Sequence, residues 1–110
     1  MIDWERVAQL RDEVGPEDFA EVVELFLEEV EEVIERLAKA PDPANLRDDM
    51  HFLKGSALNL GFAVFGEMCQ EGEKRAAAGR AGEIDLAPLL ACYEESRRVF
   101  LEAPESRAVA

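Results

Sequence analysis

Cations are scarce in this sequence. Twelve lysines and arginines stand against 25 aspartates and glutamates, leaving a net charge of −13 over 110 residues. A protein that neutralises nucleic-acid phosphates needs a basic surface, so nucleic acid is excluded as a partner, and anionic membrane surfaces with it. No apolar run approaches the roughly 18 residues that a membrane span requires. The opening Met1-Ile2-Asp3-Trp4-Glu5 lacks the basic and apolar regions of a signal peptide, which makes the cytoplasm the expected location. Cysteine is also sparse: Cys69 and Cys92 lie far apart, without a CxxC pair, and a single histidine leaves no zinc ligand set. Both cysteines fall on or beside apolar helical stripes and read as reduced core thiols. No internal repeat or low-complexity segment is present.

What is present is helical periodicity in a chain long enough for one core. Apolar residues at Ile2, Val7, Leu10 and Val14 predict a short first helix ending at Gly15, with Trp4 as a lid over one end of the fold. Pro16, Glu17 and Asp18 then mark a helix start. From there Phe19, Val22, Val23, Phe26, Leu27, Val30, Val33, Ile34 and Leu37 recur at steps of three and four. Glutamates fill most of the remaining positions and read as a solvated face. Pro41 and Pro43 break the pattern. A helix over 44–60 follows, closed by Gly61 as a left-handed cap. A further helix over 63–78 places Val64, Phe65, Met68, Cys69, Gly72 and Ala76 inward, with Gly66 and Gly72 weakening its propensity. After a flexible connection at 79–82, the last helix spans 85–102, and 104–110 is expected to fray. One domain over 1–103 is the expectation.

The 44–60 helix carries the chemistry. Leu46, Met50, Leu53, Ala57 and Leu60 form one buried stripe. At about 100° per residue, His51 sits roughly 140° from its centre, with Arg47, Lys54 and Leu58 on the same side. Gly55, one turn beyond His51, costs about 1 kcal/mol in mid-helix and leaves bare backbone where a side chain would crowd the imidazole. Lys54 suits a phosphate as a point charge, and a neutral imidazole is a competent nucleophile. These residues suggest a phosphoryl group carried on a ring nitrogen of His51. Ser56 reads as a surface or backbone-bonding hydroxyl. Phe52 and Leu58 read either as flank packing or as exposed docking contacts.

The run His51-x-x-Lys54-Gly55-Ser56-x-x-x-Leu60-Gly61 resembles the signature of histidine-containing phosphotransfer (HPt) domains, the intermediates of multistep two-component phosphorelays. The resemblance implies an all-α, antiparallel up-down four-helix bundle whose second bundle helix bears the phospho-accepting histidine, here with a short extra N-terminal helix. It implies a phosphoryl carrier rather than an enzyme, with Nε2 of His51 as the carrying atom. Lys54 would steady the phosphoryl oxygens and Gly55 would admit the partner's backbone. Implied partners are response-regulator receiver domains and a histidine kinase or hybrid kinase. Mg²⁺ is expected on the receiver, and this chain is expected to hold no cofactor or metal and to be a monomer. In this family the following helix often supplies a polar residue, frequently glutamine, to the histidine ring. Gln70 and Glu73 are the candidates here, and counting along the helices favours Glu73, a departure from the usual amide. Two other readings are a separately encoded substrate module of a chemotaxis-type histidine kinase and a non-phosphorylated helical adaptor. A hydrolase is the weakest, because no acid–base pair accompanies His51 at helical spacing.

Overall fold

In the computed structural model, which describes residues 1–103, the glutamate-rich stretch forms one long helix, α2 (Pro16–Lys39). Its buried side chains are Phe19, Val23, Leu27, Val30, Ile34 and Leu37, a stripe at steps of three and four, while the glutamates take the solvent side. Such a stripe is held by burial against other helices far more than by intrinsic propensity. Around it lie α1 (Trp4–Val14), α3 (Leu46–Leu60), α4 (Ala63–Ala77) and α5 (Leu86–Glu102). The described residues thus make a four-helix bundle, α2 to α5, with α1 as an additional helix. Among them no helix is long and apolar enough to cross a membrane. The tail at 104–110 lies outside the described residues.

Cross-helix pairs fix the up-down arrangement. Arg36, near the end of α2, meets Asp49 at the start of α3. Glu31 of α2 meets Tyr93 and Arg97 of α5. Phe62, Phe65, Tyr93 and Phe100 pack as a chain of tilted rings with centroids 5.4–6.2 Å apart, joining the start of α4 to α5. Trp4 stacks on Phe100 at 5.9 Å and caps this end of the bundle, as a lid should. Cys69 is fully buried, and burial pushes its thiol up to about 12, as expected of a core cysteine.

Several boundaries and faces differ from the expectation. The first helix begins at Trp4 instead of Ile2, because Asp3 caps it by accepting from the Arg6 N–H at 3.1 Å. Ile2 is drawn instead into a single bridge with Phe62, and the Asp3 N–H donates to the Gly61 carbonyl at 2.7 Å. The chain start therefore straps the α3–α4 turn. Gly61 caps α3 in the left-handed region at φ 80°, and a Cβ there would lie 2.7 Å from the Asp3 carbonyl oxygen. The connection expected at 79–82 includes a 3₁₀ turn, Ala81–Glu83, with Ala81 and Ile84 packed on the core.

On α4 Phe65, Cys69 and Gly72 are buried and Met68 and Ala76 partly so, as expected, but one position of the inward face differs. Val64 is 38% exposed, whereas Gly66 is buried. A Cβ at Gly66 would sit 3.4–3.5 Å from Leu58 and Ala57, and one at Gly72 only 2.9 Å from Met50 Sδ. A Cβ at Gly66 would make ordinary contact, whereas Gly72, which weakens α4 as an isolated helix, is what lets it nest against Met50 of α3. That close approach carries the α4 side chains onto the His51 face.

Candidate functional site

His51 stands on the outer face of α3, its side chain 69% exposed. The turn beneath it is fixed from three sides. Met50 and Leu53 are fully buried, which locks the helix rotation and sends His51 outward. Asp49, only 7% exposed, accepts two hydrogen bonds from the Arg36 guanidinium at 2.9 and 3.0 Å. This bidentate pair ties the histidine turn to α2. Sequence reasoning missed it, since an aspartate beside another in a first helical turn reads as a response to the helix dipole, and its partner is on a different helix.

Of the two candidates on α4, Glu73 meets the ring. Its Oε2 lies 2.8 Å from His51 Nδ1, and its Oε1 accepts from Lys54 Nζ at 2.6 Å. Gln70 is exposed on the same helix, one turn away. One carboxylate therefore bridges the imidazole and the ammonium. Lys54 foremost holds the Glu73 carboxyl below the usual carboxylate range against the opposing effect of burial, with a smaller pull in the same direction from the ring. Glu73 is accordingly an ionised acceptor with no proton to give. In the neutral imidazole the hydrogen must then sit on Nδ1, where the carboxylate can take it, and the lone pair belongs to Nε2.

Other expected positions fall where the geometry gives them different weight. Lys54 is not a freely solvated lysine: its side chain is 25% exposed and engaged with Glu73. Ser56 is 7% exposed, on the buried side of α3, so the surface reading of its hydroxyl does not hold. Gly55 faces open space, and a Cβ built there meets nothing within 4 Å among the described residues. A methyl at that position would not crowd the imidazole, contrary to the expectation, and no packing requirement among the described residues accounts for the glycine. Arg47 is exposed one turn before His51. Phe52 is 38% and Leu58 56% exposed, which leaves two large apolar side chains on the surface of α3. Leu58 also lies over the Gly66 position of α4. Among the described residues no group of three His, Cys, Asp or Glu side chains is placed to hold a metal ion.

The arrangement can therefore do one kind of chemistry well. It offers a single exposed nucleophilic nitrogen, oriented from behind by a carboxylate, beside a cation and open helix backbone. Among the described residues Glu73 is the one acid–base side chain hydrogen-bonded to the ring.

Neither a curated protein nor a solved structure matches the chain. The family model of the Hpt domain does, over residues 21–99, a span that begins inside α2 and ends inside α5 and so contains the histidine helix whole. With its all-helical bundle and a lone outward histidine on the second bundle helix, the chain belongs to the Hpt domain family, the histidine phosphotransfer modules of phosphorelays.

Proposed function

We propose that this protein is a phosphorelay intermediate that accepts a phosphoryl group on Nε2 of His51 from one receiver-domain aspartate and delivers it to another. The observation that carries the proposal is the Glu73–His51 contact: it occupies Nδ1 at 2.8 Å and leaves Nε2 of a largely exposed ring as the reacting atom.

The chemistry demands little of the chain beyond positioning. Phosphoryl transfer proceeds in line, and catalysis consists mainly of aligning the reactants and neutralising charge on the phosphoryl oxygens. Glu73 orients the ring. Lys54, on the same carboxylate, is close enough to turn its ammonium towards a phosphoryl group on the ring. Mg²⁺ bound by the receiver supplies further charge neutralisation on the partner's side of the junction. Gly55 leaves the backbone of α3 open to the approaching receiver. Arg47, Phe52 and Leu58, all exposed on α3, are the docking contacts assigned to it. With its own turnover absent, the protein is a carrier and no enzyme, and it works as a monomer in the cytoplasm.

The test is transfer from a receiver domain charged with acetyl phosphate, run beside His51→Gln. The wild type should take up an acid-labile, base-stable phosphoryl group and the variant none. Receiver binding without uptake by either protein would favour the helical adaptor instead, and uptake only from a kinase and ATP would favour the kinase substrate module.

A further inference from the structure

The carboxylate at position 73 constrains the phosphorylated ring as well as the free one. Resting on the carrier reading above, we infer that Glu73 keeps the proton on Nδ1 after His51 is phosphorylated, so that the phosphoryl group is stored in its transferable, phospho-imidazolium form. The argument starts from hydrogen-bonding capacity. An ionised carboxylate accepts only, whereas an amide can either accept or donate. Glu73 is ionised, its Oε2 is 2.8 Å from Nδ1, and its other oxygen is already taken by Lys54. If the phosphorylated ring lost its Nδ1 proton, two lone pairs would confront each other across that short contact. A glutamine in the same place would simply turn its amide and donate to the bare nitrogen.

The steps balance without any proton entering or leaving. The Nε2 lone pair forms the N–P bond as the receiver's aspartyl O–P bond breaks, and that bond's electrons leave on the receiver carboxylate. The Nδ1 hydrogen stays in place, which makes the ring cationic. On delivery, a second receiver's carboxylate oxygen bonds to phosphorus while the N–P electrons return to Nε2. The group that departs is then neutral imidazole with its Nδ1–H still on Glu73. A ring without that hydrogen would have to leave as an imidazolate anion, a far poorer leaving group.

The groups around the ring support this assignment. On α3 the charged residues within one turn of His51 are Arg47, Asp48, Asp49 and Lys54, of which Asp49 is paired with Arg36 of α2. On α4, the helix packed against this face, the charged residues are Glu67, Glu71, Glu73, Lys74 and Arg75. Glu73 is the one of these in contact with Nδ1.

The experiment follows transfer from phosphorylated wild type and from Glu73→Gln to the same uncharged receiver between pH 6 and 9. The receiver's own titration is then common to both. The wild-type rate should stay within about twofold across the range, while the variant should lose about tenfold per pH unit at its upper end, as a single lost proton requires. ¹⁵N NMR of phospho-His51 at pH 8.5 should show Nδ1 protonated in the wild type and unprotonated in the variant. Superimposable pH profiles, or a wild-type phospho-ring without its Nδ1 proton, would overturn the inference while leaving the carrier function intact. Failure of the wild type to accept phosphate would instead overturn the carrier reading, and this inference with it.

Discussion

Two glutamates in this bundle make the same kind of bridge with different consequences. Glu31 of α2 accepts from the Tyr93 hydroxyl and from Arg97 Nε, both at 2.8 Å on the same oxygen, and so joins α2 to α5. Glu73 of α4 accepts from His51 and Lys54 on α3. The partners decide what each bridge does. Tyr93 is fully buried, so its hydroxyl has no water to turn to and the bond to Glu31 is part of what holds the fold. The His51 ring is 69% exposed, so water would satisfy Nδ1 if Glu73 were absent. A bridge to a buried phenol contributes cohesion, and a bridge to an exposed imidazole contributes orientation.

Alkali probes the cohesive bridge with the largest effect. Burial first, then the bond to Glu31, pushes the Tyr93 phenol well above its usual value of 10.0. A group raised in the folded state contributes stability that is complete below its unfolded value and is lost as pH rises through the folded one. Tyr93 is the only tyrosine, so phenolate absorbance reads this group alone. It should stay absent above pH 10 and emerge together with loss of helical circular dichroism. A smooth titration of the folded protein near 10 would contradict the burial.

Substitution separates the two bridges next. Glu31→Ala leaves the Tyr93 hydroxyl without its acceptor in the interior and should cost about 2 kcal/mol in urea unfolding, with phosphotransfer unchanged. Glu73→Ala should alter stability by no more than about 0.5 kcal/mol, as surface changes do, while changing the transfer rate. Equal stability losses from the two would erase the distinction.

A further substitution has an unusual sign. Gly55→Ala places a methyl in open space within a helix and should stabilise the protein by up to about 1 kcal/mol. If receivers approach over that backbone, the same change should slow transfer. Stabilisation with no change in transfer would remove Gly55 from the docking face.

The legible part of this molecule was whatever repeats along one helix. Leu46, Met50, Leu53, Ala57 and Leu60 declare a stripe, and all five are buried. The outward position of His51 follows from that stripe by angle alone. The α2 stripe and the cap at Gly61 were legible in the same way. What stayed hidden depends on a second helix. The Asp49–Arg36 pair spans α3 and α2, and nothing in either local sequence names the other. Glycine carries no hydropathy signal, so Gly66 gave no sign that it, and not Val64, faces α3. The surface reading of Ser56 failed, and the backbone-bonding one did not, because a polar residue next to an apolar stripe can lie on either side of its edge. Glu73 could be singled out by counting along the helices, but its simultaneous hold on Lys54 required the close α3–α4 packing to appear.

The central claim is that Nε2 of His51 carries the phosphoryl group because Glu73 holds Nδ1. The most direct measurement is NMR of the ¹⁵N-labelled protein after phosphorylation by a charged receiver, reading which ring nitrogen couples to phosphorus. The account predicts coupling to Nε2 alone, with the hydrogen retained on Nδ1. Phosphorus on Nδ1, or on any residue other than His51, would contradict it.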